Sequence, residues 1–274
     1  MPPIEVFAPA KINLTLHVTG QRADGYHLLD SYVMFADIGD RVFVEPAEEM
    51  SLTVTGPRAA GVPEDARNLC WKAAEFYGAS AAITLEKHLP AAAGIGGGSS
   101  DAAAVLQGLE QVYGRPVPVD TSILGADVPV CMVGHAAHMT GVGDRVLPLF
   151  AEVPMPCVLV NPGVEVSTPA VFDRLERKDN PPMAPWPEGG GNAAAYDWLA
   201  EQRNDLETPA LAVQPVIGDV LAALQALPGA RVVRMSGSGA TCFALFDCYE
   251  QAEAGAATLG DTHADWWIAA CRLR

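Results

Sequence analysis

The sequence predicts an α+β fold, in which strands and helices mix without the regular alternation of a parallel α/β protein. Apolar and polar residues alternate over residues 11–19, which is typical of a half-buried strand with Lys11 and Asn13 on its polar face. Apolar residues return at helical spacing from Ala102 to Tyr113, directly after a glycine-rich segment. The C-terminal half contains patterns of both kinds, so neither an all-α nor an all-β fold fits.

The first half of the chain is rich in predicted strands. They span residues 4–7, 11–19, 28–38, 41–45, 51–55, 82–86 and 145–149. A helix is predicted at residues 66–77 and another over the apolar pattern that ends at Tyr113. Ser99 or Ser100 is suited to cap this second helix, and Asp101 to stand in its first turn.

The second half predicts strands separated by helices. Strands are expected at residues 157–160, 231–235, 241–246 and 266–271, and helices after Ser167 and at residues 209–227 and 250–259. Residues 179–192 hold four prolines and three consecutive glycines, which predicts a mobile surface loop. A proline-containing stretch at residues 150–156 suggests a boundary, so we predict one domain over residues 1–153 and a second over residues 154–274.

Composition excludes several classes of protein. The chain has 274 residues, of which 50% are hydrophobic and 18% charged, so it is long enough for a substantial core and too apolar to be disordered. Its formal net charge of −16 argues against nucleic acid and anionic membranes as partners, because both bind basic surfaces. A phosphorylated small molecule is still allowed, since a few local cations and backbone N–H groups are enough to bind it.

Cysteine usage and the absence of targeting patterns predict a cytoplasmic protein. No C-x-x-C pair or zinc-like cluster occurs, so we expect reduced, mostly buried thiols. The cysteines are Cys70, Cys131, Cys157, Cys242, Cys248 and Cys271. The first residues lack the basic and apolar parts of a signal peptide, and no apolar run is long enough to span a bilayer. The oligomeric state stays open between a monomer and a weak homodimer.

The most informative segment is the glycine-rich stretch from Pro90 to Asp101. Glycines allow tight turns and a close approach of the backbone to a ligand. The helix that follows offers unpaired N–H groups and the positive end of its dipole. Together these features predict a site for nucleotide phosphates. A loop that is glycine-rich only for tight packing is the simpler alternative.

Two common nucleotide-binding motifs do not fit this segment. A P-loop needs glycine followed by lysine and serine or threonine, and no Gly-Lys pair occurs in the chain. The dinucleotide fingerprint G-x-G-x-x-G would begin at Gly94 and Gly96, but its third glycine is replaced by Ser99. A different kind of nucleotide site is therefore expected.

Three motifs in order resemble those of the GHMP kinases, the superfamily of galactokinase, homoserine kinase and mevalonate kinase. Residues 90–103, with the core Gly-x-Gly-Gly-Gly-Ser-Ser-Asp-Ala-Ala, are similar to the second signature of that superfamily. Ala8-Pro-Ala-Lys11-Ile-Asn13-Leu resembles its N-terminal motif, and Met235-Ser-Gly-Ser-Gly-Ala240 its C-terminal glycine motif. The resemblance covers essentially the whole chain. It implies a two-domain fold, with the N-terminal kinase domain in residues 1–153, the C-terminal one in residues 154–274 and the active site in the cleft between them.

Neighbouring residues narrow the resemblance to one branch of the superfamily. They are Arg22-Ala-Asp-Gly-Tyr-His27, Leu124-Gly-Ala-Asp-Val-Pro129 and Asn204-Asp-Leu-Glu207. The resemblance implies transfer of a phosphoryl group from ATP to the 2-hydroxyl of 4-diphosphocytidyl-2-C-methyl-D-erythritol, in the methylerythritol phosphate route to isoprenoids. It also implies ATP and Mg²⁺ as cofactors. No chemical role follows for Asn204-Asp-Leu-Glu207.

The resemblance assigns roles to the motif residues. Lys11 and Asp127 are implied to be catalytic, with the aspartate accepting the hydroxyl proton and the lysine keeping it ionised. The implied ATP-binding residues are Pro90, Ala91, Ala92, Ala93, Gly94, Ile95, Gly96, Gly97, Gly98, Ser99, Ser100 and Asp101. Ser100 is in addition a candidate ligand of the ATP-bound Mg²⁺. From the residues alone, Asp127 is equally suited to a turn, Lys11 to a solvated strand edge and the serines to helix capping.

Recognition of the substrate is implied at Asn13, Tyr26 and His27. An aromatic ring can stack on cytosine while polar groups bond to its edge, although Tyr26 and His27 also suit an ordinary turn. A second aromatic is expected from the region that contains Trp186, Tyr196 and Trp198, among which the sequence does not choose.

Other polar residues receive simpler interpretations. His135 and His138 have a spacing that can bind metal on a helix, but without a third ligand we interpret them as local polar residues. Asp144 is interpreted as a turn residue.

Three alternative functions are retained. The first is another GHMP kinase, acting on mevalonate, homoserine or a sugar, against which the Asp-Gly-Tyr-His turn argues. The second is a non-catalytic nucleotide sensor on the same fold, which would need neither Lys11 nor Asp127. The third is a dehydrogenase with a degenerate dinucleotide loop, which Ser99 disfavours.

Overall fold

The computed structural model of the chain describes residues 2–91, 93–149, 154–187 and 189–274. Within these ranges the chain forms eleven strands and eight α-helices, which confirms the mixed α+β class. The strands are β1 (Ile4–Asn13), β2 (His17–Gln21), β3 (His27–Pro46), β4 (Ser51–Thr55), β5 (Ala81–Glu86), β6 (Ala137–Gly141), β7 (Arg145–Pro148), β8 (Met155–Asn161), β9 (Val232–Met235), β10 (Cys242–Leu245) and β11 (Trp267–Leu273). The helices are α1 (Leu69–Tyr77), α2 (Gly97–Tyr113), α3 (Val128–Val133), α4 (Thr168–Asp173), α5 (Gly191–Ala200), α6 (Glu207–Val213), α7 (Val216–Gln225) and α8 (Tyr249–Thr262).

Two compact units share the chain, and each is built from separate segments. The first unit contains Met1–Lys11, Ile38–Ala91 and Gly96–Gly134. The second contains Ile12–Asp37, Ala92–Ile95 and His135–Arg274. The units are therefore interleaved in sequence, whereas the predicted domains follow one another. Residues 150–153, next to the predicted boundary, lie outside the described residues, so that boundary stays a prediction.

The first unit packs helices against a small mixed sheet. Strand β4 runs parallel to β5, and the connection between them contains α1, since parallel neighbours need a crossover. Strand β5 is antiparallel to the second part of β3, with Arg41 opposite Glu86. The core lies between this sheet and helices α1 and α2; it includes Val42, Val44, Ile83, Leu85, Ala73, Ala74, Val105 and Leu106.

The second unit contains an antiparallel sheet in the order β9, β10, β8, β11. Leu273 of β11 pairs with Ala36 in the first part of β3, which also pairs with β2 and β6. Helices α7 and α8 cover the sheet through apolar residues that include Ile217, Val220 and Leu259. The four strands of this sheet were predicted from the sequence, with ends that move by one or two residues, whereas their pairing was not.

The predicted strand at residues 11–19 is wrong in two respects. It is broken between Asn13 and His17. There Arg234 donates to the Leu14 carbonyl (2.7 Å), and Leu16 forms backbone hydrogen bonds with Arg203 and Asp205. Its polar face is also buried, because Asn13 is 4% exposed and His17 1%. The alternation is therefore that of a strand with two buried faces, whose polar side chains have partners inside the protein.

Two helix predictions need correction. The helix predicted at residues 209–227 is divided into α6 and α7 at Pro215, which has no N–H to donate to the preceding turn. Helix α2 begins at Gly97 with Gly96 as its N-cap, so neither Ser99 nor Ser100 caps it and Asp101 lies beyond its first turn. The predicted cap at Ser167 is confirmed, since its side chain accepts from the Ala170 N–H at 3.4 Å.

The predicted loop at residues 179–192 is anchored at several points over its described part. The Asn180 N–H donates to Val18 O (3.1 Å), and the Met183 N–H donates to an Asp30 carboxylate oxygen (2.8 Å). His138 bonds to the other Asp30 oxygen at 2.6 Å. Burial alone would raise the pKa of Asp30, but these two hydrogen bonds outweigh it and lower the pKa. Helix α5 then begins at Gly191; it was not predicted, nor were α3 and β6.

Burial of the cysteines agrees with the sequence prediction. Five of the six are buried, and Cys248 is partly exposed. Burial raises the pKa of the Cys70 and Cys242 thiols, which keeps them protonated and unreactive. Within the described ranges, no helix is both long enough and apolar enough to cross a bilayer.

Gly39 of β3 tests how closely the backbones of the first unit are packed. A Cβ atom there would lie 2.2 Å from the Ala8 carbonyl oxygen and 2.7 Å from the Pro9 Cα. We expect Gly39→Ala to lower the free energy of unfolding by about 1–3 kcal/mol, because backbone must move to admit the methyl group.

Gly260 of α8 is the matched control, since nothing lies within 4 Å of its Cβ position. There the same substitution should raise the free energy of unfolding by up to ~1 kcal/mol, through helix propensity. Both are measured by urea denaturation. A Gly39→Ala protein that unfolds at the wild-type urea concentration contradicts the close approach.

Candidate active site

The glycine-rich segment has the backbone geometry of a phosphate site. Gly94 and Gly96 have positive φ angles of 72° and 64°, which few residues other than glycine adopt. Helix α2 starts immediately afterwards, and the first N–H groups of a helix have no partner within it. Those N–H groups and the helix dipole favour an anion. The side chains of Ala93 and Ile95 are buried, so the segment presents mainly backbone to solvent.

The segment brings Lys11 and Asp127 together, as the sequence resemblance implies. Lys11 Nζ lies 3.0 Å from Asp127 Oδ2. The lysine side chain is 4% exposed, while 35% of the aspartate side chain remains accessible. A Cβ atom at Gly96 would lie 3.1 Å from both Cβ and Cε of Lys11. The lysine therefore packs on the glycine turn and reaches an aspartate whose carboxylate is still open to a ligand.

The two serines at the start of α2 differ in their surroundings. The Ser100 hydroxyl is buried and donates to the Pro9 carbonyl at 2.7 Å, which ties α2 to β1. Ser99 is more accessible, and its Oγ lies 3.9 Å from a Cβ atom placed on Gly125. Ser99 therefore faces the loop that carries Asp127. A magnesium role for Ser100 stays a prediction. Because the Ser100 hydroxyl is already bonded to Pro9, Ser99 is better placed for that role.

Asp101 belongs to a buried charge cluster that the sequence did not predict. The Lys87 ammonium bonds to Asp101 Oδ2 at 2.8 Å and to Asp40 Oδ2. Asp40 Oδ1 accepts from the N–H groups of His88 and Leu89 (2.6 and 2.9 Å). Asp101 Oδ1 is buried and makes no hydrogen bond. A Cβ atom on Gly97 would lie 3.7 Å from Lys87 Nζ, so the cluster lies beneath the first turn of α2.

One cation and two carboxylates give the cluster an excess of negative charge. Burial raises the pKa of Asp101 to about 8; Lys87 opposes this shift and Asp40 adds to it. Burial alone would lower the pKa of Lys87, but the two carboxylates outweigh it and raise the pKa. The cluster is therefore expected to gain a proton at Asp101 near neutral pH, while Lys87 stays charged.

Asn13 lies in a buried network of hydroxyl and amide groups in the second unit. Its side-chain Nδ2 donates to Ser31 Oγ (2.8 Å), and Ser31 Oγ donates to the Thr15 carbonyl (2.5 Å). Its backbone N–H donates to Ser236 Oγ at 3.0 Å. These contacts fix the orientation of the Asn13 amide, so a ligand that binds it meets a preorganised group.

Tyr26 and His27 offer different surfaces. Tyr26 is 65% exposed and available for stacking. The His27 ring stacks on Phe172 of α4, with ring centroids 4.6 Å apart. Burial and the positive charge of Lys178 lower the pKa of His27, so the imidazole is neutral at pH 7. Its Nε2 is buried without a hydrogen-bond partner in the protein.

The other candidate aromatics pack into the protein. The Tyr196 hydroxyl donates to Phe246 O (2.8 Å), and Trp198 is buried against Tyr32. Trp186 also lies against Tyr32, with centroids 5.1 Å apart. The ring that contacts His27 is Phe172, which was not among the aromatic residues predicted from the sequence. Phe172 lies in the short helix α4, whose sequence contains no motif that indicates a ligand-binding role.

The remaining predicted residues take structural roles. His138 lies on β6, so the two histidines do not share a helix face, and it bonds to Asp30. Asp144 accepts from the Val142 N–H (2.9 Å), which confirms its place in a turn. Among the described residues, no group of three or more potential protein ligands could hold a metal ion. Ala92 lies outside the described residues.

Comparison with known families places the chain in one class of enzyme. The family described as GHMP kinases N terminal domain matches residues 67–142. The family described as GHMP kinases C terminal matches residues 193–264. The chain therefore belongs to the GHMP kinases, ATP-dependent kinases of small molecules, as its three motifs imply.

Close relatives belong to one particular kind of GHMP kinase. The chain is 59% identical over 274 residues to the 4-diphosphocytidyl-2-C-methyl-D-erythritol kinase of Dinoroseobacter shibae, covering 99% of this chain and 96% of that one. It is 55% identical to the enzyme of the same name from Cereibacter sphaeroides, covering 98% and 99%.

Solved structures agree with this assignment of the fold. A crystal structure of 4-(cytidine 5'-diphospho)-2C-methyl-D-erythritol kinase superposes with a TM-score of 0.78 at 36% identity, covering 98% of this chain and 99% of that one. Homoserine kinase from Cytophaga hutchinsonii superposes with a TM-score of 0.70 at 18% identity, covering 99% and 95%, which shows the shared fold alone.

The raised pKa of Asp101 predicts a pH-dependent stability difference. Protonated Asp101 contributes stability that is fully present below the unfolded-state pKa of 3.8 and is lost as the pH rises to about 8. Asparagine at this position does not titrate. Asp101→Asn should therefore gain stability relative to the wild type between pH 5 and 8, with a slope approaching 1.4 kcal/mol per pH unit.

Urea unfolding at several pH values measures this difference. Asp261→Asn, on the exposed side of α8, removes one carboxylate elsewhere and should show a difference that hardly changes over the same range. A flat difference for Asp101→Asn as well would show that the cluster does not hold the extra proton.

Proposed function

We propose that this chain transfers the γ-phosphoryl group of ATP to the 2-hydroxyl of 4-diphosphocytidyl-2-C-methyl-D-erythritol. The observation that carries the proposal is the Lys11–Asp127 pair packed on the glycine turn at Gly96, with the aspartate still accessible. The relatives with this name, at 59% and 55% identity over nearly the whole chain, support the choice of substrate. The reaction belongs to the methylerythritol phosphate route to isoprenoids, and we place it in the cytoplasm.

Phosphoryl transfer depends mainly on positioning and on stabilisation of charge. In the proposed reaction, the Asp127 carboxylate accepts a hydrogen bond from the substrate hydroxyl and orients its oxygen for attack. As the new O–P bond forms and the bond to ADP breaks, the hydroxyl proton passes to Asp127. Lys11, 3.0 Å from Asp127 Oδ2, keeps the carboxylate ionised before the transfer and stabilises negative charge on the attacking oxygen.

The glycine segment is proposed to hold the phosphates of ATP through the backbone N–H groups at the start of α2. A Mg²⁺ ion that accompanies ATP would neutralise part of the phosphate charge. The residues present fit such an ion, because Mg²⁺ keeps several waters and needs only one or two protein oxygens besides the phosphates. Ser99 Oγ, beside the loop that carries Asp127, is the side-chain oxygen that would be available to such an ion.

The cytosine ring is proposed to bind in the second unit. Tyr26 offers an exposed ring for stacking, and the preorganised Asn13 amide and neutral His27 Nε2 offer polar groups for the base edge. Phe172 supports the His27 ring from behind. Strand β1 carries both Lys11 and Asn13, two residues apart.

A substrate panel tests the proposed specificity. With ATP and Mg²⁺, the purified chain should release ADP with 4-diphosphocytidyl-2-C-methyl-D-erythritol and show at most about a hundredth of that kcat/KM with mevalonate, homoserine or galactose. The measurement is coupled detection of ADP. Equal turnover of one of the other alcohols would support a different GHMP kinase. No ADP with any of them would support a nucleotide sensor.

Asp127→Asn tests the catalytic assignment. It keeps the shape of the side chain but removes the base and the charge facing Lys11, so kcat should fall by about 10²–10⁴-fold. The Kd of ADP, measured by calorimetry, should change little. Asp120→Asn removes an exposed carboxylate from the preceding loop and should leave kcat unchanged. Activity near the wild-type level in Asp127→Asn would mean that another group orients the hydroxyl.

A further inference from the structure

The C-terminal glycine motif meets the two ligand-binding segments at one buried hydroxyl. Ser236 follows directly after β9 and is fully buried. Its Oγ accepts a hydrogen bond from the Asn13 N–H at 3.0 Å and donates one to the Gly94 carbonyl at 3.0 Å. Asn13 belongs to the proposed cytosine site and Gly94 to the proposed phosphate segment. One side-chain atom therefore joins the backbone at Asn13 to the backbone at Gly94.

Backbone contacts between the two glycine segments add to this link. The Thr241 N–H donates to Ala93 O (3.1 Å). A Cβ atom on Gly94 would lie 2.6 Å from the carbonyl oxygens of both Ser236 and Gly239. In return, a Cβ atom on Gly237 would lie 2.9 Å from the Gly94 oxygen. The phosphate segment thus rests on the turn after β9 with no room for side chains.

The motif Asn204-Asp-Leu-Glu207, for which the sequence suggested no chemistry, holds this turn in place. Asn204 Nδ2 donates to the carbonyl oxygens of Met235 and Gly237, both at 2.8 Å. Its Oδ1 accepts from the Leu206 N–H at 2.9 Å. Glu207 accepts from the Met235 N–H at 3.0 Å. The carbonyls on either side of Ser236 are thereby fixed by a single amide.

The same region of the chain also holds the segment directly after Asn13. The Leu16 N–H donates to Arg203 O (3.0 Å), and the Asp205 N–H donates to Leu16 O (2.8 Å), so Asn204 lies beside Leu16 in a parallel bridge. Arg234, one residue before Met235, donates to Leu14 O at 2.7 Å. Burial lowers the pKa of Arg234 to about 10, which still leaves it charged. Residues 203–205 and Arg234 therefore hold both the turn after β9 and the segment that follows Asn13.

We propose that Ser236 and Asn204 are positioning residues for phosphoryl transfer, which hold the backbone of the phosphate segment at Gly94 in place against the backbone at Asn13. Ser236 links the segment that holds the ATP phosphates to the strand that holds the cytidine substrate, and Asn204 fixes Ser236 in the position where its hydroxyl reaches both. Neither residue touches the reacting atoms. The inference rests on the proposed function, because that function assigns the two segments to two ligands.

Phosphoryl transfer is sensitive to such positioning. Displacement of a reacting group by about 1 Å can reduce the rate by roughly 10²-fold while each ligand still binds. Loss of the Ser236 hydroxyl should therefore act on kcat more than on the binding of either ligand. A residue that merely stabilised the fold would lower the melting temperature and leave the kcat of the folded protein unchanged.

Ser236→Ala is the main test. We expect kcat to fall by about 10–100-fold, while the Kd values of ADP and of cytidine 5'-diphosphate, each measured alone by calorimetry, stay within about threefold of the wild type. Ser236→Cys keeps a weak donor and acceptor and should have an intermediate kcat. Ser238→Ala removes a neighbouring hydroxyl that bonds to Thr168 (2.8 Å) and touches neither Asn13 nor Gly94, so it should keep the wild-type kcat.

Asn204→Asp provides a second variant, because it keeps the size of the side chain but presents oxygen to two carbonyl oxygens. It should show the same loss in kcat as Ser236→Ala, together with a lower melting temperature. Ser236→Ala with the wild-type kcat, or with weakened binding of both probes and an unchanged kcat at saturation, overturns the inference.

Amide exchange separates this inference from the proposed function. The Asn13 amide should exchange with solvent at least about tenfold faster in Ser236→Ala than in the wild type, whatever reaction the enzyme catalyses. Equal exchange rates overturn the link. Absence of turnover by the wild type, with faster Asn13 exchange in the variant, would overturn the proposed substrate and leave the link supported.

Discussion

The packing of Lys11 on Gly96 is the contact on which the candidate site depends. A Cβ atom at Gly96 would lie 3.1 Å from the lysine side chain, which is a tight contact, and the φ of 64° is one that few residues other than glycine adopt. The lysine is held at 4% exposure, where an unpaired ammonium would cost several kcal/mol, and Asp127 provides the counter-charge at 3.0 Å. The glycine turn therefore combines two features: its N–H groups are free of side-chain cover, and its bare Cα forms the surface against which Lys11 lies. The sequence Gly-Ile-Gly-Gly-Gly at residues 94–98 provides both the exposed backbone and the contact surface for Lys11.

Two buried lysines of the first unit, Lys11 and Lys87, differ in how accessible their carboxylate partners are. Lys87 is enclosed with Asp40 and Asp101, whose side chains are at most 4% exposed, so no ligand reaches its partners. Lys11 is buried to the same degree, but 35% of its partner Asp127 remains accessible. Both pairs meet the cost of burying an ammonium through a carboxylate. Only the Lys11–Asp127 pair leaves part of its carboxylate side chain accessible to a ligand.

The sequence predicted those parts of the site whose signals are local. The glycine run before an apolar helix pattern indicated the phosphate segment, and the resemblance identified Lys11 and Asp127, which the structure brings together. Ser236 and Asn204 act through contacts that span 223 and 31 residues of sequence, so no spacing revealed their roles. The burial of Asn13 was missed for a related reason: alternation cannot show whether a polar face meets water or polar partners. Phe172 contacts His27 only because the fold places α4 beside the turn.

The interleaving of the two compact units has a consequence for synthesis of the chain on the ribosome. The first unit uses residues 1–11 but is completed only at Gly134, and residues 12–37 must wait for partners that begin at His135. Neither unit is therefore a contiguous fragment, and the second unit has all of its segments only when synthesis is nearly complete. A gene cut between the units would leave residues 12–37 and 92–95 attached to the wrong fragment. Asn13 at the end of β1 therefore meets its partner Ser236 only when most of the chain has been synthesised.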